Sequence, residues 1–141
     1  MRGRHLGIDF GERRIGIAIS DPAARFALPL TVLERRDDRQ AAQAIGALAR
    51  REEVVALVLG DPRRLDGSAG EASLRVRAFA RRLRRATGLP VRMVPEALTS
   101  RAAAWQLEGL PGQHSSRRRP DDARAAQILL QDALEASGGL D

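Results

Sequence analysis

The most restrictive stretch of this chain is VVALVL, residues 54 to 59. An unbroken apolar run leaves no side for water, and this one is short, so it predicts a strand covered on both faces. Amphipathic helical segments stand before and after it in the sequence. Ala41, Ala44, Ile45, Leu48 and Ala49 recur at helical spacing over about 39 to 50. Val76, Phe79, Ala80 and Leu83 do the same over about 71 to 87, with Arg77, Arg81, Arg84 and Arg85 on the opposite side.

Three strands precede this unit, over 4 to 10, 14 to 20 and about 26 to 33, and the short turn segments GERR and SDPAA between them predict an antiparallel meander. PVRMV, 90 to 94, is a fifth strand. TSRAAAWQLE predicts a short helix, GLPGQHSSRRR a mobile loop, and the last helix runs from about 120 to 136. The expected fold is α/β in the order βββαβαβα with one short extra helix, built on a five-stranded mixed sheet. With 141 residues, no internal repeat and no linker, the chain is expected to form one domain over 1–141.

In RHLGIDFGERRIGIAISD, residues 4 to 21, Asp9 stands inside an apolar strand with a glycine-laced second strand close behind. Burying an isolated carboxylate is costly, so Asp9 requires hydrogen-bond donors or a cation. In open α/β sheets functional groups gather at strand ends near the switch point. Two further acids belong to such positions: Glu96, directly after the fifth strand, and Asp122, in the first turn of the last helix. At roughly 100° per residue, Asp122 shares the face of Ala126, Leu129 and Ala133, which must pack on the sheet, whereas Asp121 points off it. Three carboxylates from distant segments make a site for divalent ions, and two such ions about 4 Å apart suit phosphodiester hydrolysis. Each acid also has a plainer reading: Asp9 as a hydrogen-bonded turn acid, Glu96 as a solvated loop residue, and Asp122 as a helix-start charge behind Pro120.

Composition narrows the chemistry further. There is no cysteine, and His5 and His114 are the only histidines, which sets aside thiolate nucleophiles, disulfides and a zinc cage. Any metal must be held by oxygen, which favours magnesium or manganese. All 24 basic residues are arginine, and the formal net charge is +6. A guanidinium clasps phosphate with a two-pronged fork, so this balance points to a polyanionic partner, although an arginine-rich genome produces the same count. Neither a signal peptide nor a membrane-length apolar run is visible, and a cytoplasmic protein is expected. Trp105 suits a core better than a stacking platform, and 3% aromatic content argues against extensive base stacking.

LGIDFGERRIGIAISD, LVLGDPRRLDGSAG, VPEALTS and DDARAAQILLQ occur in an order and spacing that resemble the YqgF/RuvX family, over about residues 4 to 134. That family comprises pre-16S ribosomal RNA nucleases, also described as Holliday junction resolvase-like, with a ribonuclease H-like fold. The resemblance implies a metal-dependent nuclease of ribosomal RNA maturation whose catalytic and metal-holding acids are Asp9, Glu96 and Asp122, the same three that packing selects. With oxygen ligands required, the expected cofactor is Mg2+ or Mn2+, as two ions. Two departures stand out. The third block usually runs Asp-Glu-Arg-hydrophobic-Thr, but here Pro95 and Ala97 flank Glu96. The second block usually reads Gly-Leu-Pro, but here Asp61 precedes Pro62, as a turn residue or as an extra metal ligand.

Arg14, just after the first turn, Arg63 and Arg64 beside the DGSAG loop, and Arg117, Arg118 and Arg119 directly before Asp122 are candidate nucleic-acid contacts, against the reading of ordinary solvated loops. The helix arginines fit a solvated face. The expected substrate is RNA, with single-stranded or junction DNA as alternatives, in a monomer or homodimer. A binding-only RNA protein competes with the nuclease, since the altered third block weakens chemistry more than grip. The first block also resembles the phosphate loop of actin-like ATPases and sugar kinases, but these need two domains around a nucleotide, and a P-loop needs a lysine this chain does not have.

Overall fold

In a computed structural model the described residues are 2–62, 70–95 and 118–136. The elements follow the expected order: β1 (Arg4–Phe10), β2 (Arg14–Ser20), β3 (Ala27–Glu34), α1 (Asp38–Arg51), β4 (Val54–Asp61), α2 (Glu71–Thr87), β5 (Val91–Pro95) and α3 (Arg118–Ala136). The short helix expected around Trp105 lies outside the described residues. Strand order is β3-β2-β1-β4-β5, with β1, β2 and β3 antiparallel in sequence and β1, β4 and β5 parallel. The carboxyl ends of β1, β4 and β5 therefore meet at one edge, where β2 also begins.

The two faces of this sheet are built differently, and period-two alternation is the cause. Leu6 and Ile8 of β1, Ile15 and Ile17 of β2, and Leu57 and Leu59 of β4 all point toward α1 and α2, where they pack with Ile45, Val76, Phe79 and Leu83. The intervening positions carry Gly7, Gly16, Ala18 and Val58, and this side is covered by Ala126, Leu129, Leu130 and Ala133 of α3. VVALVL thus feeds both layers, as a doubly covered strand must.

Helix ends are set locally. Asp37 caps α1, its side chain accepting from the Gln40 amide at 2.8 Å. Gly88 ends α2 in the left-handed region, φ 73°, with its amide donating to the Arg84 carbonyl at 2.8 Å. α3 begins at Arg118, two residues before Pro120. Proline costs nothing in a first turn whose amides have no intrahelical partner, so the expected start near 120 moves back, and Arg118 and Arg119 open the helix instead of closing a loop.

Two glutamines dock α3 on the outer strand. The Ala27 amide donates to Gln131 Oε1 at 2.8 Å, and Gln127 Nε2 donates to the Ala27 carbonyl at 3.0 Å. Gln131 Nε2 also donates to the Arg25 carbonyl at 3.0 Å. The pair satisfies both backbone groups of the first residue of β3, which stands at the sheet edge.

Candidate active site

Asp9 is the next-to-last residue of β1, and its register partner across the antiparallel pair is Gly16. It is partly buried, which corrects the expectation of a buried carboxylate. Its place follows from the strand's period: Gly7 and Asp9 share the face toward α3, while Leu6, Ile8 and Phe10 face α2.

Gly16 brings Asp122 to it. A Cβ built on Gly16 would stand 1.9 Å from the Asp122 carbonyl oxygen and 2.5 Å from its carbon. Helix backbone therefore lies directly against strand backbone, a distance no side chain tolerates. Gly7 repeats the arrangement one step along, where a Cβ would fall 2.6 Å from Leu130 Cβ and 2.9 Å from the Ala126 carbonyl. Cross-strand neighbours are about 4.5–5.5 Å apart at Cα, so Asp9 and Asp122 sit on either side of a single glycine. Ala126, Leu129 and Ala133 are all buried, as the helical spacing from Asp122 requires.

Arg14, the first residue of β2, donates its Nε to Asp122 Oδ2 at 2.9 Å. It was expected to face phosphate; in the structure it is engaged by an acid 108 residues away, because α3 is drawn so close to β2. Both side chains remain about a third exposed, 40% and 32%. An ion pair so exposed contributes at most about 1 kcal/mol, too little to fix α3, so the glycine contacts hold the helix and the pair is their consequence.

The turn joining Asp9 to Arg14 is held by a residue that sequence reading missed. Arg35 donates Nη1 to the Glu12 carbonyl at 3.1 Å and to the Gly11 carbonyl at 3.4 Å, and its amide donates to the Arg13 carbonyl at 2.8 Å. Its Nε and Nη2 both donate to Asp38 Oδ1, at 3.0 and 2.7 Å. The guanidinium carbon lies 4.4 Å from the centroid of the Phe10 ring, which stacks on Phe79 at 4.3 Å. In sequence ERRDDRQ looks like charged helix-start residues, and nothing there marks one arginine as a clamp.

Asp61 ends β4, opposite Pro95 of β5. It is the one charged residue buried among those described, at 2% exposure. Its carboxylate accepts from Ser73 Oγ at 2.5 Å and from Arg77 Nη2 at 3.4 Å, both on α2. It has the parity of Leu57 and Leu59, so it faces away from Asp9. The turn role is thereby replaced by a bond between strand and helix, and Arg77 leaves the solvated face assigned to it.

Glu96 follows Pro95 in the sequence but lies outside the described residues, as do Arg63, Arg64, Arg117 and Trp105; for Arg118 and Arg119 only the helix backbone is described. Among the described residues no three acids or histidines stand close enough to hold a metal ion. The donor set nevertheless fits one. Asp9 and Asp122 offer hard oxygen donors on either side of Gly16, and Arg14 already places a cation against Asp122. Magnesium is commonly held by one or two carboxylates with water and phosphate completing the shell.

The chain is matched over residues 3–136 by the family model described as RuvX, Holliday junction resolvase. It is 42% identical over 135 residues to a Paracoccus denitrificans protein named "Putative pre-16S rRNA nuclease", covering 94% of this chain and 84% of that one. A protein of the same name from Anaplasma marginale is 35% identical over 136 residues, covering 96% and 87%. Among solved structures, Thermus thermophilus RuvC in complex with Holliday junction substrate matches 97% of this chain and 96% of its own, with a TM-score of 0.56 and 19% identity, which is a likeness of ribonuclease H-like fold. With its whole sheet inside the matched span and identities of this size to proteins of nearly equal length, the chain belongs to the RuvX family.

Proposed function

We propose that the chain is a nuclease that hydrolyses phosphodiester bonds in RNA with the help of magnesium or manganese, acting on precursor 16S ribosomal RNA in the cytoplasm. Membership of a family whose curated relatives carry that name supports the substrate class. The observation that carries the chemistry is the contact at Gly16, which brings Asp122 beside Asp9 at the edge where β5 hands over to Glu96. These three acids would hold two ions, which supply charge stabilisation at the phosphate and an activated water.

The remaining work falls to the chain's own groups. The turn fastened by Arg35 fixes Asp9 and Arg14 relative to each other. Arg14 is paired with Asp122 and would be placed to take a phosphate oxygen were Asp122 to hold a metal. Arg63, Arg64, Arg117, Arg118 and Arg119 supply further phosphate contacts without reading sequence. Asp61 is assigned no metal here, since its carboxylate is bonded to α2.

The test is to incubate the protein with labelled precursor RNA, single-stranded DNA and four-way junction DNA, each with magnesium, manganese or chelator, alongside Asp9→Asn. RNA cleavage is expected with either metal and is lost in chelator and in the variant, while RNA binding in chelator persists. Binding without cleavage in every metal overturns the nuclease in favour of an RNA-binding protein, and preferential junction cleavage overturns the RNA substrate.

A further inference from the structure

α1 and α2 lie side by side on the sheet face away from Asp9, and between them runs a groove of about 240 Å³ lined by Arg39, Ala42 and Gln43 of α1 and Arg82, Arg85 and Ala86 of α2. The ion pairs of the described residues engage Arg4, Arg14, Arg35, Arg51 and Arg77, and the groove arginines enter none of them. Asp38, next to Arg39 in sequence, is taken by Arg35. No acid lines the groove, and all three arginines are exposed. Arg50 adds a fourth guanidinium to the same seam, within 3.8 Å of where a Cβ on Gly46 would stand, as Ala86 O is within 4.0 Å.

Folding does not ask for this arrangement. Arg39 occupies the first turn of α1, where the helix dipole disfavours a cation. Arg82 and Arg85 are like charges three residues apart on one helix, and such pairs destabilise it. Arginines that are unpaired, mutually repelling and gathered along one groove are relieved by a polyanion, and the planar fork matches phosphate in particular. A single phosphate would meet one or two of them, whereas a phosphodiester backbone laid along the seam meets all.

We propose that the α1/α2 groove is a second phosphodiester-backbone site, which grips a part of a long RNA away from the carboxylates. It rests on the nucleic-acid reading above but not on cleavage. A short strand at the Asp9 edge cannot also reach the opposite face of the sheet, so the groove acts only on substrates long enough to pass around the molecule.

The experiment compares the parent with Arg39→Gln/Arg82→Gln/Arg85→Gln by fluorescence anisotropy in chelator, against a short single-stranded oligonucleotide and a long structured RNA, across a salt series. On the long RNA the variant's log-log salt slope is expected to be shallower by about 2 to 3, roughly 0.7 on single-stranded and 0.9 on duplex parts for each of three lost contacts, and its affinity lower. On the short oligonucleotide the two proteins should agree. The corresponding triple lysine variant should restore most of the slope, and melting curves of all three should coincide within a few degrees. Equal slopes on the long RNA overturn the proposal, as does an equal loss on both substrates. Failure of the nuclease reading shows instead as a parent that binds but does not cleave.

Discussion

The two faces of the sheet divide the labour of this protein. Toward α1 and α2 the strands present Leu6, Ile8, Ile15, Ile17, Leu57 and Leu59, large side chains that are fully buried and supply most of the apolar area removed from water. Toward α3 they present Gly7, Gly16 and Ala18, which bury far less and let a helix come down onto the strand backbone. The first face makes the sheet stable. The second sacrifices side-chain volume to bring an acid at the start of a helix beside an acid at the end of a strand. Tolerance should differ accordingly: the large-residue side keeps its partners at side-chain distance, while the small-residue side has no room at all.

A glycine from each side sharpens this contrast. Gly16→Ala should have the largest effect, since the added methyl falls 1.9 Å from a backbone oxygen that cannot rotate away. Overpacking of this kind costs about 1–3 kcal/mol, visible in thermal melts. With Asp122 holding metal as proposed, cleavage should fall further than stability implies, on the order of 100-fold, because displacing that carboxylate by about 1 Å misplaces the group it positions. Full activity in a folded Gly16→Ala protein would break the link between the helix contact and the site.

Gly46→Ala should act in the opposite direction and more weakly. Gly46 lies inside α1, and the nearest groups to a new Cβ are Arg50 Nη1 and Thr87 Cγ2, both at 3.8 Å. Replacing an interior helical glycine by alanine is worth about 0.5–1 kcal/mol, so the melting temperature should rise by a few degrees with cleavage unchanged. A fall would mean that α1 and α2 are packed as tightly as α3 and the sheet.

The smallest effect concerns pH and again separates the faces. His5 shares the α3 side of β1 with Gly7 and Asp9; its ring Nδ1 is 2.9 Å from the Gly3 carbonyl, and burial holds its pKa below the ordinary value, with nearby Arg92 adding to this and the Gly3 contact opposing it. A base whose folded pKa is lowered stays neutral in the fold while the unfolded chain takes up the proton. Its contribution is therefore complete above the unfolded value of about 6.5 and is lost as pH falls through it toward the lower folded value. Melting temperatures measured from about pH 8 down to about pH 5 should decline in the parent and decline less in His5→Asn. Parallel curves would show that His5 does not carry the acid sensitivity of this range; Asp21, whose carboxylate is held below its usual range first by the Phe26 amide and also by that of Arg25, loses its contribution only at lower pH than this and cannot account for it.

Much of this was readable in advance. Alternation marked β1 and β2 to the residue, and the helical spacing placed Asp122 on the buried side of α3, because both patterns are repeated many times within one element. The partners of single polar groups were not readable. Asp61 resembled a turn acid before proline until Ser73 and Arg77 were seen to close on it, and Arg14 resembled a free phosphate contact until Asp122 met it. Arg35 gave no sign of its hold on the Gly11–Glu12 carbonyls, since a single long side chain carries no period.

The sequence by itself determined the kinds of elements, their order, and the absence of any thiolate, because hydrophobic periodicity and residue inventory are properties of short stretches and of counts. Only the tertiary structure decided which charges share a space. Arg14 and Asp122 are 108 residues apart, and no local pattern relates them. They meet because a glycine stripe on one face of β1 and β2 lets α3 approach to backbone contact, and the depth of that approach is a matter of three-dimensional packing.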